Sequence, residues 1–409
     1  MERMEEVVPE ANHQALQHML SESAWEERAV LDQVAQEANQ HLGGHPDSGL
    51  IIDESGCPKK GRQSVGVARQ WCGQLGKVEN CQVGVFAALG RGTEATLIDE
   101  RLFLPESWTA DPARCQAAGI PAEQRGFKRK HDLALEMITH ARKRQIGFAW
   151  VGFDGFYGSD PAFLRALDDQ GEVFVGDVHC DQRIYLDDPQ PRVPPPATPR
   201  GRPPTRRQAQ TPAVRVDRWA QQQPAEVWQR VTVRDGTKGP LQVALLHRRV
   251  WLWDGEELRA RQWQVIVRRE VDTPTAIKYS LSNAPADTPA PRLAFMQGQR
   301  YWIERALQQG KQDVGLADYQ VRSWRGWHHH MALVMMAMLF SLEERLLHRQ
   351  TYPLLSGTDI RALLNHFLPR RDTTLEEVLR QMDVRHRKRQ AAIDSAHRRQ
   401  PLNEKSRDG

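Results

Sequence analysis

The chain has 409 residues, 40% of them hydrophobic, and its 56 Lys and Arg residues against 52 Asp and Glu give a net charge of +4. This length and composition predict a large core and two or three structural units, which excludes a disordered chain or a small disulfide-stabilised protein. The longest apolar run, residues 331–340, is too short to span a membrane, and no secretory signal pattern begins the chain. We therefore expect a cytoplasmic protein with no membrane partner.

The five cysteines, at positions 57, 72, 81, 115 and 180, are an odd set with no C-x-x-C spacing. This pattern favours reduced thiols in a cytosolic protein. A zinc site built from Cys72, Cys81 and a histidine is the alternative.

The first 48 residues predict two amphipathic helices, the second capped near Ser21 or Ser23 with Glu26 behind the cap. This segment has two basic and ten acidic side chains, which leaves a net charge of +12 on the rest of the chain. We therefore expect the N-terminal helices to pack against protein and the remainder to present a phosphate-binding surface.

An acid follows the first predicted strand. The apolar run at 49–52 ends in Asp53, and glycine and proline come soon afterwards, which predicts a buried strand that stops in a turn. Glu54 is adjacent, but its side chain points to the opposite face of a strand, so Asp53 is the preferred metal ligand. Lys59 and Lys60 follow closely and are candidates for phosphate contacts.

A second acid follows the same pattern. The apolar run at 148–153 ends in Asp154, and a glycine-rich turn then leads to a helix beginning near Pro161. Carboxylates at the C-terminal ends of two adjacent parallel strands have backbones roughly 5 Å apart. Asp53 and Asp154 are therefore predicted to lie close enough to bridge one cation.

A long insertion separates Asp154 from the next candidate acid. Residues 189–212, with nine prolines and five arginines, predict an extended loop, and three alternating segments after it predict β-hairpins. Residues 181–270 contain 17 basic and 10 acidic side chains, with tryptophans interleaved between arginines. The tryptophans Trp251, Trp253 and Trp263 either stack on an extruded base or fill a small β core. Strand alternation places Trp251 and Trp253 on one face, which predicts a shared environment for these two.

A helix drawn from Arg300 to Lys311 aligns Arg300, Glu304, Gln308 and Lys311 in one polar stripe beside an apolar one. The two cations suit phosphate oxygens and the glutamate suits a hard metal ion. An ordinary salt-bridged helix surface is the alternative. The C-terminal third predicts helices over 326–348, 358–367 and 373–396. Its basic end is either a solvated tail or a DNA contact.

Three of these residues carry a resemblance to a known family. Arg300, Glu304 and Lys311 match the R-(3)-E-(6)-K core of the Y-(2)-R-(3)-E-(6)-K signature of bacterial insertion-sequence DDE transposases, with Gln297 in place of the tyrosine. From about residue 10 to residue 370 the chain resembles the subgroup described as DDE superfamily endonucleases, through SVGVARQWCGQLGKVENCQVGVF, LFLPESW and WRGWHHH.

The second acid also fits this subgroup, apart from one residue. The subgroup has alanine before the second aspartate, whereas this chain has Phe153, and the following Tyr157 and Gly158 are kept. Asp53, Asp154 and Glu304 thus look like the three catalytic acids, in the family's chain order.

The resemblance implies an α/β fold, a ribonuclease-H-like mixed-sheet core interrupted by a β-rich insertion, with helical N- and C-terminal segments. The implied divisions are a helical, truncated N-terminal segment at 1–48, the first part of the core at 49–180, the proline- and arginine-rich loop and β insertion at 181–285, the second part of the core at 286–350, and the C-terminal helices and tail at 351–409. The three acids would hold two Mg²⁺ ions, with Mn²⁺ as a substitute. The expected DNA-binding residues are Arg300, Lys311, Lys59, Lys60, Trp251, Trp253 and Trp263.

The sequence therefore predicts a transposase that cuts and rejoins DNA at the ends of its own insertion sequence. Its expected partners are the transposon ends, target DNA and further copies of itself, at the nucleoid. One alternative is a catalytically silent DNA-binding remnant that regulates a full-length copy. Another is a ribonuclease-H-like nuclease without strand transfer.

Overall fold

The computed structural model describes residues 6–195, 204–236, 239–271, 273, 275–371 and 374–404. The chain divides into two compact units, one made of residues 25–360 and the other of residues 1–24 and 361–409. Part of the predicted proline-rich loop, residues 196–203, lies outside the described residues. The larger unit contains every strand that the structure describes and all three predicted acids.

A ten-stranded mixed sheet forms the centre of the larger unit. Its strands are β1 (Gly49–Pro58), β2 (Ala68–Cys72), β3 (Lys77–Arg91), β4 (Glu94–Leu102), β5 (Trp150–Phe153), β6 (Phe174–Val178), β9 (Gln229–Gly236), β10 (Gly239–Leu252), β11 (Arg261–Glu270) and β12 (Ile277–Ser282). A separate two-stranded ribbon joins β7 (Arg183–Ile184) and β8 (Val214–Arg215). Strands β2 and β4 both pair with β3, and the order then continues β1, β5, β6, β12, β11, β10, β9. Strands β1, β5 and β6 are parallel, and all the other pairs are antiparallel.

The helices of the larger unit are α2 (Glu27–Leu42), α3 (Glu106–Thr109), α4 (Pro112–Ala117), α5 (Lys130–Lys143), α6 (Gly155–Gly158), α7 (Pro161–Asp169), α8 (Val216–Gln221), α9 (Ala290–Gln299), α10 (Tyr301–Asp313), α11 (Trp324–Leu347) and the beginning of α12 (Gly357–Phe367). The smaller unit contains α1 (His13–Ser21) and α13 (Leu375–Glu404). No helix among the described residues is both long and apolar enough to cross a membrane.

Two apolar strands at the middle of the sheet, β1 and β5, form the centre of the core. All four residues of β5 are buried, as expected for a parallel strand covered by helices on both faces. Its neighbour β1 is buried from Gly49 to Ile52. Phe153 and Trp150 are among the largest side chains with no exposed surface. These strands are therefore fixed in place, and the residues that follow their apolar runs are held at one edge of the core.

The predicted strands and helices are confirmed, with two corrections. Strand β1 does not stop at Asp53 but continues to Pro58, because β3 keeps pairing with it after β5 has ended. Neither Ser21 nor Ser23 caps the second N-terminal helix. Glu26 occupies the N-cap position of α2, and its side chain makes no capping hydrogen bond.

The strands of the predicted insertion continue the central sheet. Strand β12 pairs with β6, and β11, β10 and β9 follow it outward. The apolar residues of β10 and β11 pack into the same core as β1 and β5. The strands that precede the predicted acids therefore share one sheet with the arginine-rich strands.

Candidate active site

Three aspartates lie at the same level on three neighbouring strands. In the parallel pairing, Ile52 of β1 is opposite Phe153 of β5, and Phe153 is opposite Gly176 of β6. The next residue on each strand is an aspartate: Asp53, Asp154 and Asp177. The sequence prediction identified the first two of these. It missed Asp177, although FVGD at 174–177 repeats the pattern of an apolar run ending in an acid.

The turn after β5 holds Asp154 in place. Asp154 is the N-cap of α6, and its Oδ1 accepts hydrogen bonds from the backbone N–H groups of Phe156 and Tyr157 at 3.1 and 3.4 Å. Gly158 brings this turn against β6, because a Cβ there would collide with the carbonyl oxygen of Asp177. The glycine thus allows two of the acidic strand ends to pack directly together.

Helix α10 brings a cation and a fourth acid to this edge. Arg300 contacts three carboxylates: its Nη2 lies 2.7 Å from Glu304, its Nε 3.1 Å from Asp177, and its Nη1 3.7 Å from Asp53. Burial lowers the pKa of this guanidinium, but the carboxylates around it, Asp177 foremost, raise it by more. Arg300 therefore lies at the centre of an acidic cluster, engaged by protein groups rather than directed at solvent.

One cation does not neutralise this cluster. Burial, followed by the negative charge of Asp154, raises the pKa of Asp53 to about 7, even though Arg300 acts in the opposite direction. Burial also raises the pKa of Asp154, against the effects of Arg300 and of two backbone N–H groups. Ionisation of these two strand-end carboxylates is thus disfavoured even with Arg300 present, and another cation beside them would stabilise their ionised forms.

A chain of hydrogen bonds explains the unusual residue in the helix signature. Gln297 donates from its Nε2 to the Ser280 hydroxyl at 2.7 Å, and Ser280 donates to Asp177 at 2.7 Å. Asp177 in turn holds Arg300. The glutamine that replaces the family's tyrosine is buried and supports the arginine through two intermediate side chains.

Glu54 lies on the other side of strand β1, as strand alternation predicts. Its carboxylate is 2.6 Å from the ammonium of Lys130, the first residue of α5. The same ammonium lies over the rings of Phe103 and Phe156, about 5 Å from each centroid. Glu54 is thus already paired, which supports Asp53 as the acid that faces the cluster.

The donor set suits a hard divalent cation. Among the described residues, no three His, Cys, Asp or Glu side chains converge tightly enough to hold a metal ion, and this includes the zinc alternative at Cys72 and Cys81. Glu304 contacts Arg300 instead and keeps about half of its side-chain surface exposed. Carboxylate oxygens are the ligands that Mg²⁺ prefers, and the excess charge on Asp53 and Asp154 fits such an ion.

The three lysines that are predicted to contact DNA have different environments. Lys59 points inward, where its ammonium donates to the carbonyl oxygen of Tyr319 and lies 4.8 Å from the centroid of that ring. Burial lowers the pKa of Lys59. Lys60 is exposed, whereas Lys311 is half-buried. Burial raises the pKa of the nearby Cys57, and Lys59 and Lys311 offset part of that rise. Lys60 and Lys311 therefore remain available to phosphate, and Lys59 has a structural contact.

The three predicted tryptophans do not share one surface. Trp263 is buried and packs edge-on against Phe174 with ring centroids 5.1 Å apart. In the pairing of β10 with β11, Trp263 is opposite Val250 and Trp251 is opposite Gln262, so these tryptophans lie on opposite faces. Trp251 and Trp263 cannot contact the same extruded base.

Trp253 and Trp263 line a cavity beside the acidic cluster. Strand β10 ends at Leu252, so Trp253 is free of strand alternation and can turn toward Trp263. The cavity has a volume of about 510 Å³. It also contains Tyr185 and His179, and Gly158 of the Asp154 turn forms part of its wall. Trp251 does not line this cavity, so it does not share the environment of Trp253 as the strand pattern had predicted.

The fold and site define an α/β protein with a cluster of acids at the ends of parallel strands. A family model for DDE superfamily endonucleases matches residues 1–240, more than half of the chain. The chain belongs to this family, and so to a class of nuclease and transposase enzymes. The match contains Asp53 and Asp154 and ends before Glu304.

Two individual proteins are also similar to the chain. The probable transposase for insertion sequence element IS701 from Microchaete diplosiphon is 24% identical over 311 residues, which cover 76% of this chain and 69% of that protein. The crystal structure of the NurA nuclease from Sulfolobus solfataricus aligns over 79% of this chain and 92% of that one, with 11% identity and a TM-score of 0.24. A score this low carries no argument about the fold.

Proposed function

We propose that the chain is a metal-dependent DNA transposase in which Asp53, Asp154 and Glu304 hold two Mg²⁺ ions, or Mn²⁺ in their place. The observation that supports this most directly is that Asp53 and Asp154 follow paired residues of adjacent parallel strands, where burial and the charge of Asp154 raise the pKa of Asp53 to about 7. When bound, the two ions activate the attacking oxygen and stabilise the leaving oxygen of an in-line displacement. The family match and the similarity to an insertion-sequence transposase agree with this reaction.

The chain's own residues prepare the site in two ways. Asp154 is oriented by the two backbone N–H groups of its turn, which bind its Oδ1 and leave its Oδ2 for a cation. Glu304 is held by Arg300 on the first turn of α10. We propose that Arg300 moves its contact from Glu304 to a DNA phosphate when DNA binds, which frees the glutamate for the metal.

The strand order supports a ribonuclease-H-like core. Strands β4, β3 and β1 form an antiparallel meander, and β5 and β6 extend it in parallel with β1. The acids follow the parallel strands, where open α/β sheets commonly bind their ligands. We propose that β9–β12 are an addition to this core that lies on the β6 side of the acids.

DNA contacts are proposed for the cations and aromatic rings around the acids. Lys311 follows Glu304 by two helical turns, roughly 10 Å along the axis, on the same face of α10. With Lys60 and Arg300 it can bind successive phosphates. The cavity at Trp253 and Trp263 suits a single extruded base, stacked on Trp253 with Trp263 as its wall. Substrate DNA would be the ends of the element and its target, at the nucleoid, with self-association of the protein on DNA.

Cleavage of DNA that contains an end of the element and its genomic flank tests this function. The wild-type chain is expected to cut at the junction with Mg²⁺ or Mn²⁺ and to join the cut end to a second duplex, and chelation should stop both reactions. Binding without any cleavage in either metal would contradict the proposal and support a silent DNA-binding remnant. Cleavage at sites unrelated to the junction would support a nuclease without strand transfer.

A further inference from the structure

An exposed apolar surface lies on the hairpin that joins β2 to β3. Trp71 is 53% exposed and its cross-strand partner Val78 is 51% exposed, while Leu75 in the connecting turn is 43% exposed. Contiguous exposed apolar surface that is rimmed by polar residues commonly marks an interaction site. This set is called the hairpin patch below.

The hairpin is rigid, so the exposure of the patch is a property of the fold. The opposite face of the hairpin buries Cys72 and Cys81 against Val83. The Gln70 side chain donates to the Cys81 carbonyl oxygen at 2.9 Å. Loss of the exposed Trp71 side chain would therefore leave this small core intact.

Cations surround the patch. Asn80, on the same face as Trp71, donates to the carbonyl oxygens of Lys59 and Gly61 at 2.7 and 2.8 Å, which joins the hairpin to the loop after β1. The exposed cations on this combined surface are Lys60, Arg62 and Arg69. Lys77 and Glu79, which are paired at 3.2 Å, lie on the opposite face of the hairpin with Cys72. A cluster of three exposed cations suits a polyanion.

The hairpin projects from the same end of the sheet as the acids. Along β3, Phe86 is opposite Asp53, and Val78 is eight residues farther toward the hairpin turn. At about 3.4 Å per residue this separates the patch from the acids by roughly 27 Å. The same distance is about eight base pairs of duplex DNA, which rises 3.4 Å per nucleotide of each strand.

We propose that the β2–β3 hairpin binds duplex DNA about eight base pairs from the cleaved bond. Its cations contact phosphates, and Trp71 inserts against a base step, with Leu75 and Val78 packing in the groove beside it. This inference rests on the proposed function for the position of the DNA. It adds a contact surface on the side of the acids away from β9–β12.

Duplex length tests the inference. Dissociation constants are measured without divalent cations for duplexes that extend five or fifteen base pairs past the junction on either side. The wild-type chain is expected to bind a longer duplex more tightly on one of the two sides. Trp71→Ala should reduce that gain about fivefold to 150-fold and leave the short-duplex affinity unchanged, while Trp71→Phe should retain most of it.

Two matched controls separate this contact from general effects. Tyr352→Ala removes an aromatic ring that is 61% exposed elsewhere on the same unit. In this variant the gain in affinity with duplex length should persist. Arg69→Ala should reduce the salt slope by about 0.9 on the long duplex alone, whereas Lys143→Ala, at the opposite end of the sheet, should not. An equal gain in wild type and Trp71→Ala overturns the inference. So does an altered sedimentation mass for Trp71→Ala with equal losses on both duplex lengths, which would indicate an interface between copies.

Cleavage of the same duplexes keeps the two proposals distinguishable. If the wild-type chain cuts the short duplex with Mg²⁺ but gains no affinity with length, the hairpin inference fails and the proposed function stands. If the gain in affinity depends on Trp71 but no duplex is ever cut, the contact between the hairpin and DNA stands, while the proposed function and the stated distance to a cleaved bond both fail.

Discussion

Two groups of buried carboxylates in the larger unit have opposite electrostatics. At the candidate active site, burial and then the charge of Asp154 raise the pKa of Asp53 to about 7, and burial also raises the pKa of Asp154. On strand β4, Asp99 and Glu100 are buried at least as deeply, yet the pKa of each is below its ordinary value. Burial alone therefore does not decide the charge state of these acids.

The difference lies in their partners. Burial raises the pKa of Asp99, but Arg101 and Arg28 lower it by more, and Arg28 donates to it at 2.7 Å. Burial likewise raises the pKa of Glu100, but His328 and the Trp327 ring N–H, which donates at 2.8 Å, lower this pKa by more. Partners within the protein thus stabilise the ionised forms of Asp99 and Glu100. The partners of Asp53 and Asp154 at the candidate active site do not offset the effect of burial, and such unbalanced carboxylates are expected at a cation-binding site.

The first prediction removes the unmatched acids. Asp53→Asn, Asp154→Asn and Glu304→Gln should each lower metal-dependent cleavage at least about a thousandfold, because metal stabilisation of the transition state is worth several kcal/mol. DNA binding should stay within a few fold. Cleavage and binding are measured on the same duplex, with Asp99→Asn as the control that keeps activity in the folded fraction. Near-normal cleavage by one variant would remove that acid from the site.

The second prediction removes a matched acid. Glu100→Gln should lower the free energy of unfolding by roughly 3 to 5 kcal/mol, since it removes a buried carboxylate that holds both His328 and the Trp327 ring N–H. Urea unfolding at neutral pH measures this loss, and Asp53→Asn in parallel should show none. Equal losses in the two variants would mean that the two groups of acids have the same structural role.

The third prediction concerns the acid that the sequence did not indicate. Asp177→Asn should lower cleavage about tenfold with little change in stability, because Arg300 loses its charged partner while Ser280 keeps a hydrogen-bond acceptor. The outcome is read as a change in kcat at saturating DNA. An unchanged kcat would show that the ion pair between Asp177 and Arg300 has no role in cleavage.

The fourth and smallest effect is expected at Lys311. Lys311→Ala should reduce the slope of log Kd against log salt concentration by about 0.9, the contribution of one phosphate contact. Lys59→Ala serves as the comparison, because the wild-type Lys59 ammonium is already bound to the Tyr319 carbonyl oxygen. The salt slope of Lys59→Ala should therefore equal that of the wild type. Identical slopes for wild type and Lys311→Ala would show that this lysine makes no phosphate contact.

The sequence predicted those parts of the site that depend on local pattern. Asp53 and Asp154 follow apolar runs, and helical spacing aligned Arg300, Glu304 and Lys311. The pairing of Arg300 with Asp177 joins residues 123 positions apart, and no local pattern indicates it. Long-range contacts of this kind depend on strand register, which fixes the level of each acid along the sheet.

The tryptophans show the same limit on a smaller scale. Alternation along a strand placed Trp251 and Trp253 on one face, but β10 ends at Leu252, which releases Trp253 toward the cavity. The end of a strand is set by its pairing partner, and the composition of the strand itself does not reveal it. Gln297 is a similar case, because its role depends on Ser280 from another strand.

The most direct test of the account is the thermal stability of wild type and Asp53→Asn from pH 4 to pH 8, with and without Mg²⁺. Because the pKa of folded Asp53 is raised from 3.8 to about 7, the folded state keeps a proton that the unfolded state has lost across this interval. Its stability should therefore fall as pH rises from about 4 to 7, by at most a few kcal/mol, and then level off. Mg²⁺ should reverse this fall in the wild type alone, since it binds the ionised carboxylate of the folded state. The same pH dependence in both proteins, with no difference in their response to Mg²⁺, would contradict an unmatched cation site at Asp53.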